Sequence, residues 1–405
     1  MSNKSFFLNS LKYIIVSGAS KGLNYLILLY FAVGIFSEQY VTILLLLSLE
    51  QLLNLLLPLN NPTIIYSKTV VDYNKITNKL ISTSFLFLCF YIVSFWFFKE
   101  SIFRYYGVSS LIIFSCILFN VFTNGYIFYL TNFYKLIEDH DKALKVQSLY
   151  FISFLSILIF SLILENKVLA FFLGKSVGFL IIIILTKLFK FNITKFRFLN
   201  FTVNEWKKML NLFSISILGW ISGLGFINLA KIYSTPEIVL RIGYILNLWN
   251  VFLLIGIGVN SVYHPLIKKH ITDKIPDIAN KIKHKTLLLY LGISLCAYII
   301  YYTLNYINLF GNYPEIQKVF VEIPNTLILF VISAFYYVIH PFYLVYDKFK
   351  TFNLLNISAF VFAVFITFTG TFNGYNNYII YLILLYFFKS SFLYIYGEKK
   401  LIKNV

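Results

Sequence analysis

The sequence predicts an all-α polytopic membrane protein of about twelve transmembrane helices, arranged as two six-helix bundles in residues 1–200 and 201–405. Apolar runs of about 20 residues recur along the chain, and this is the length that a helix needs to cross a bilayer core. The chain is 59% hydrophobic and 12% charged, whereas about a quarter of a soluble domain is charged. Its Lys and Arg residues are concentrated in alternate connections, as the positive-inside rule describes.

Turn-forming and charged segments separate the apolar runs. Residues 60–62 (Asn-Asn-Pro) and residues 373–377, which are rich in Asn, are two of these breaks. The first run follows Lys4 and Lys12 and has no small-x-small cleavage site, so we expect it to be retained as a helix. The predicted spans are 11–34, 40–59, 80–98, 107–131, 143–164, 168–189, 208–230, 238–262, 286–309, 320–345, 351–371 and 376–397.

The net charge of +18 would suggest a nucleic-acid partner in a soluble protein. Here the basic residues lie in short connections between apolar runs, where the anionic membrane surface explains them. If both termini are cytoplasmic, nearly all of the surplus falls in the inner connections, above all those between spans 6 and 7 and between spans 8 and 9. The sequence therefore predicts cytoplasmic termini and no nucleic-acid partner.

The sequence carries no motif for a cofactor, a metal or a catalytic centre. The three cysteines lie in apolar runs without metal-ligand spacing. Residues 174–176 (Gly-Lys-Ser) resemble the end of a phosphate-binding loop, but Leu169 stands where its first glycine is needed. We therefore expect a protein that is not an enzyme and needs no cofactor.

The two halves of the chain show a weak internal repeat. Gly18 and Gly22 in the first span correspond to Gly219 and Gly223 in the seventh. Spans six apart have the same orientation, so the repeat would be parallel, as in two-lobed transporters. Glycines four apart are also common in membrane helices because they let backbones approach closely.

Lys21 and Glu50 are charged residues at mid-depth in the first two spans. A charge at that depth is costly when it faces lipid. Ser17, Lys21 and Asn24 share one helix face, and Asn54 lies one turn after Glu50. Two interpretations stay open: a structural Lys21–Glu50 ion pair, or a cation that binds an anionic substrate beside a carboxylate that tunes it or carries a proton.

Three further basic residues each have a structural interpretation and a functional one. Lys175 and Lys389 lie within spans 6 and 12. Each either snorkels, so that its long side chain brings the ammonium to the lipid headgroups, or lines a cationic cavity. Arg241 either pairs with Glu237 one turn before it or joins that cavity. By default, Asn124, Asn250 and other polar side chains form hydrogen bonds between helices. The dipeptide His340-Pro341 predicts a kink, with a structural role for the histidine.

These features together resemble the Wzx-type polysaccharide flippases of the multidrug/oligosaccharidyl-lipid/polysaccharide exporter superfamily. The features are the twelve spans, the two related halves, the stretch Ser-Gly-Ala-Ser-Lys-Gly at 17–22, the basic 6–7 and 8–9 connections and the very short outer loops. Residues 59–62 depart from the pattern because they lack the glycine that is usual after the second helix.

The resemblance implies movement of an undecaprenyl-pyrophosphate-linked oligosaccharide, such as an O-antigen unit, from the cytoplasmic to the outer leaflet of the bacterial inner membrane. It implies a V-shaped pair of bundles that rock between two states, with a polysaccharide polymerase and a chain-length regulator as partners. The cationic cavity that binds the substrate is then predicted to contain Lys21, Lys175, Lys389 and Arg241. The residue predicted for ion coupling or ion pairing is Glu50. The predicted polar lining of the cavity consists of Ser17, Asn24, Asn54, Asn124 and Asn250.

Two rival functions remain. A drug/cation antiporter of the same superfamily would need acidic residues in its cavity, and Glu50 is the only carboxylate predicted at depth. A membrane enzyme acting on lipid-linked sugars, such as an O-antigen polymerase or a glycosyltransferase, would need a sizeable outer loop and catalytic residues. The sequence shows neither.

Overall fold

The computed structural model describes residues 11–12, 15–16, 23–33, 37–60, 73–137, 139–186, 201–221, 223–311, 313–368 and 375–402, and these residues contain no β-strand. The fold is all-helical, as predicted. The chain forms two compact units, a unit that contains Glu38–Gly225 and a unit that contains Phe226–Val405. We call them the N-terminal and C-terminal units; residues before Glu38, including helix α1 (Leu23–Val33), are divided between the two. The predicted lobes 1–200 and 201–405 stay a prediction.

The N-terminal unit contains seven helices among the described residues. The first is followed by a short 3₁₀ turn at Pro58–Asn60. Asp139 caps the helix that begins at His140 by accepting a hydrogen bond from the Lys142 backbone N–H. The contact of Asp139 with the Lys142 side chain lowers the pKa of the Asp139 carboxyl. The helices are α2 (Ser37–Leu55), α3 (Tyr73–Tyr106), α4 (Leu111–Leu136), α5 (His140–Ser148), α6 (Tyr150–Ile163), α7 (Lys167–Leu185) and α8 (Val203–Ile221).

The C-terminal unit also contains seven α-helices within its described part, several of which begin with proline. Proline suits the first turn of a helix because the backbone N–H that it lacks has no partner there. The last helix ends in a short π-helical segment, Glu398–Ile402. The helices are α9 (Phe226–Tyr233), α10 (Pro236–Thr272), α11 (Pro276–Tyr306), α12 (Pro314–Phe320), α13 (Ile323–Val345), α14 (Phe349–Phe368) and α15 (Tyr375–Gly397).

Nine helical stretches in the described residues are long and apolar enough to cross a membrane, and the consecutive pair α8 and α9 makes ten when counted as one span. Helix α2 supplies a shorter apolar stretch, Gln39–Leu55. The predicted first span, 11–34, lies partly outside the described residues. The location of the termini stays a prediction.

Several helices extend beyond the apolar runs that predicted them. We predicted residues 263–285 as a connection, but α10 continues to Thr272 and α11 begins at Pro276. Hydropathy marks only the part of a helix that is in contact with hydrocarbon. The lysine-rich ends continue the same backbone hydrogen bonding in a polar environment, which apolar runs cannot show.

Two glycines in α7 allow its backbone to lie directly against α6. A Cβ atom built on Gly178 would lie 2.4 Å from the Cα of Ser153, and one built on Gly174 would lie 2.7 Å from the Cα of Ile157. Both distances are far too short for non-bonded carbon atoms, whose optimal separation is about 3.5–4.0 Å. Only glycine fits at these two positions, and this close contact fixes the position of Lys175 between them.

Candidate functional site

A buried ion pair joins α2 to α7 in the N-terminal unit. The Nζ of Lys175 lies 2.5 Å from Oε1 of Glu50, and the two side chains are 14% and 5% exposed. The Lys175 ammonium also lies 5.8 Å from the ring centroid of Phe179. A buried pair compensates two charges that would each be costly alone. We predicted that Lys175 lines a cationic cavity or reaches the headgroups. In the structure, its charge is instead compensated by the carboxylate of Glu50.

Polar side chains surround this pair on the neighbouring helices. The hydroxyl of Tyr150 donates to Oδ1 of Asn124 at 2.6 Å, and the hydroxyl of Ser176 donates to Oδ1 of Asn120 at 2.9 Å. These bonds link α4 to α6 and to α7. They give Asn124 the inter-helix role that we expected as its default.

Three acceptor atoms and one donor atom on α2 and α4 have no hydrogen-bond partner among the described residues. All are buried, and an unpaired buried polar group is costly. Three of the four atoms are oxygens, which accept hydrogen bonds or protons. They are Oε2 of Glu50, Oε1 of Gln51, Oδ1 of Asn54 and Nδ2 of Asn120.

Lys389 has a different environment in the C-terminal unit. It is 9% exposed, on α15, and its Nζ lies 4.4 Å from the ring centroid of Tyr336 on α13 and 5.6 Å from that of Tyr386. The faces of aromatic rings attract cations. Trp249 of α10 lies against Tyr386 with ring centroids 5.2 Å apart, and the neighbouring Asn250 is also buried.

No described carboxylate pairs with Lys389. In the described part of the C-terminal unit, buried Glu322 pairs with Arg241 and Glu398 pairs with Lys283. The remaining carboxylates whose side chains are described are exposed: Glu237, Asp273, Asp277 and Asp347. Lys389 is therefore a buried cation held by aromatic rings, and its ammonium has hydrogens to offer to an anion.

Arg241 pairs with a residue of another helix. Its guanidinium lies 3.3 Å from Oε1 of Glu322, whose side chain is 1% exposed, and Asn325 donates to the other oxygen of that carboxylate at 3.1 Å. The sequence suggested Glu237, one turn away on the same helix, as the partner. The observed pair joins the start of α10 to the start of α13, a relation that helical spacing cannot show.

The remaining predicted residues are in the first span. Ser17 and Lys21 lie outside the described residues, and Asn24 is described by its backbone alone. The aromatic neighbours of Lys389 and the hydroxyl of Tyr150 were not predicted as site residues. Tyr386 precedes Lys389 by three residues on the same helix, and this spacing is the signal that was available.

The N-terminal unit also contains an apolar groove of about 1000 Å³ between α3 and α4. Its walls include Phe95, Trp96 and Phe114, and exposed Cys89. Such a surface can hold a hydrocarbon chain, and none of its lining residues is charged. The described residues contain no group of His, Cys, Asp and Glu side chains that could hold a metal ion.

The comparisons with known proteins identify the fold. No family model matches the chain, and no curated protein matches it. Solved structures do match over nearly the whole length. The eukaryotic MATE transporter AtDTX14 aligns with a TM-score of 0.68 at 12% identity, covering 97% of this chain and 94% of its own.

Two further structures extend this result. An outward-facing multidrug resistance MATE family transporter of the MOP superfamily aligns with a TM-score of 0.62 at 13% identity, over 98% of this chain and 95% of its own. A MOP superfamily transporter from Pyrococcus furiosus, for which reverse polarity of the binding pocket suggests a different function, aligns with a TM-score of 0.63 at 12% identity, over 98% and 95%. The chain therefore has the MATE fold of about twelve helices and is a multi-pass membrane protein.

Proposed function

We propose that this protein is a flippase that moves an undecaprenyl-pyrophosphate-linked oligosaccharide, such as an O-antigen unit, from the cytoplasmic to the periplasmic leaflet of a bacterial inner membrane by alternating access. The observation that carries the proposal is the buried ammonium of Lys389, which has aromatic neighbours and no carboxylate partner among the described residues. A diphosphate is the kind of anion that such a group can hold.

The difference between the two buried lysines supports an anionic substrate. Lys175 is bound to Glu50 at 2.5 Å, so its charge is already compensated. Among the described residues, the Lys389 ammonium lies against two aromatic rings and pairs with no carboxylate, and rings compensate a buried cation weakly compared with a carboxylate. An incoming anion would complete the environment of Lys389 and would gain little from Lys175.

The main alternative is a drug/cation antiporter of the same superfamily, and one observation favours it. Oε2 of Glu50 is buried without a hydrogen-bond partner in the described part of the chain, and a carboxylate oxygen can bind a proton or a cation. One matching structure is a multidrug resistance transporter. We assign Glu50 to the coupling ion and Lys389 to the substrate, so that both groups serve one transport cycle.

Reconstitution into lipid vesicles tests the proposal. The wild-type protein should move a fluorescent polyprenyl-diphosphate sugar between leaflets, and Lys389→Met should lose this activity. Lys281→Ala is the matched control because it removes an exposed lysine from α11 of the same unit. Wild-type vesicles that extrude a cationic dye but leave the lipid-linked sugar in place would establish the antiporter instead.

A genetic experiment separates the proposal from the enzyme alternative. Deleting the gene should trap complete lipid-linked repeat units in the cytoplasmic leaflet and abolish surface polymer. Units that reach the outer leaflet but remain unpolymerised would indicate a polymerase.

A further inference from the structure

The dipeptide His-Pro occurs twice in the chain, at 264–265 in α10 and at 340–341 in α13. The two histidine rings lie together, with centroids 5.7 Å apart. Two of the chain's five histidines thus meet in the folded chain. Beside them, the Tyr263 hydroxyl donates a hydrogen bond to the backbone carbonyl of Val338, and this bond joins the same two helices across 75 residues of sequence. This juxtaposition is a tertiary arrangement that neither helix would produce alone.

The histidine pair adjoins the environment of Lys389. The ring of His340 stacks on Tyr336, with centroids 5.3 Å apart and an angle of 22° between the planes. The same Tyr336 ring lies 4.4 Å from the Lys389 ammonium. Tyr336 therefore connects a buried lysine to a pair of histidines, and three basic side chains from α10, α13 and α15 form one cluster.

Aromatic rings of two further helices pack against this cluster. Helix α14 presents Phe352 to His340, with ring centroids 5.1 Å apart, and α11 presents Tyr290 to Tyr337, the residue after Tyr336. Lys268 lies one turn after His264 on α10. The described carboxylates of this unit are bound to other cations or exposed, so none of them compensates the cluster.

The two histidines are more exposed than the lysine. His264, His340 and Tyr336 are each partly exposed, whereas Lys389 is 9% exposed. The cluster therefore has its lysine at the more buried end and its histidines at the more accessible end. A diphosphate has two charged groups, and the cluster offers cations of two kinds, a lysine and a pair of histidines.

We propose that His264 and His340 form, with Lys389, a proton-sensitive binding site for a diphosphate headgroup, in which protonation of the histidine pair strengthens binding. The inference rests on the proposed function and names the regulation of the same site. An unperturbed histidine changes charge between pH 5 and pH 8, and a diphosphate bound beside the pair favours the protonated form of each ring. Each proton adds a positive charge near the anion, so the affinity should rise as the pH falls.

Binding of farnesyl diphosphate to the purified full-length protein in detergent tests this inference. The affinity of the wild type should increase from pH 8 to pH 6 by about tenfold more than that of His264→Gln/His340→Gln, because one added cation near the ligand has an effect of this order. Comparing the two proteins removes the titration of the ligand itself. Lys389→Met should bind weakly at both pH values.

The outcomes separate the inference from the function on which it rests. If the wild type binds no diphosphate at either pH, the proposed function fails. If it binds with the same pH ratio as the double variant, the histidine site fails alone. Inorganic pyrophosphate, assayed in parallel, identifies the source of the headgroup: tighter binding of farnesyl diphosphate indicates a lipid, and equal binding indicates a free diphosphate.

A second measurement does not depend on the folding of any variant. Calorimetry of wild-type binding near pH 7, in buffers of different ionisation enthalpy, counts the protons exchanged. Histidines that are protonated together with anion binding give net proton uptake. If only the lysine bound the ligand, it would favour the fully deprotonated diphosphate, and the ligand would release protons to the buffer. Net proton release, or no proton exchange, would therefore overturn the inference.

Discussion

The two buried lysines should respond in opposite directions to the same substitution. Replacing Lys389 by Met removes a buried charge, whose cost at the centre of a membrane helix is about 3 kcal/mol. It also removes the attraction of the ammonium to Tyr336, at 4.4 Å, which for a desolvated cation is worth about 2 kcal/mol. The balance is a stabilisation of about 1 kcal/mol. Replacing Lys175 by Met instead leaves Glu50 unpaired and should destabilise the protein by about 3–5 kcal/mol.

Unfolding of the purified proteins in mixed micelles, followed by circular dichroism, measures both effects. Lys389→Met should unfold at a higher denaturant concentration than the wild type and yet fail to transport. Lys175→Met should unfold earlier, and adding Glu50→Gln to it should recover much of the loss. A Lys389→Met protein as unstable as Lys175→Met would refute the reasoning, since its lysine would then have a compensating partner and no need of an anionic ligand.

Gly178→Ala should destabilise the protein by about 1–3 kcal/mol through overpacking, whereas Gly292→Ala, with no atom within 4 Å of the new methyl group, should be neutral or stabilising in the same unfolding assay. Lys283→Met should destabilise it because a partly buried carboxylate loses its partner; unchanged unfolding would show that this pair contributes little. A cysteine at Gly374 should react with an impermeant maleimide added from the outer face of the membrane and one at Pro276 should not, while the reverse pattern would invert the predicted topology.

The sequence predicts the fold class well because the bilayer imposes one length and one polarity on every span. It also predicts that Glu50, Lys175 and Lys389 lie at depth, which is a property of each position. It does not predict that Glu50 and Lys175 are partners, because 125 residues separate them and only tertiary packing brings them together. For Arg241, helical spacing indicated Glu237, while the observed partner, Glu322, lies on a helix further along the chain.

The second histidine shows the same limit. His340 was interpreted alone, as a structural residue beside a kink, because its sequence neighbours gave no other signal. His264 carries the same His-Pro dipeptide in another helix, and the two rings meet only in the folded chain. Repeated short motifs in different spans of a membrane protein are therefore worth testing for contact.

The backbone contact between α6 and α7 limits how the N-terminal unit can change shape. At Gly174 and Gly178 no side chain separates the helices, so sliding one past the other would drive backbone atoms together. The two helices should therefore move as one body in any conformational change, and Lys175 should move with them. Spin labels placed one on each helix should keep a constant distance in every state. This pair therefore provides a fixed reference distance for measuring motions elsewhere in the molecule.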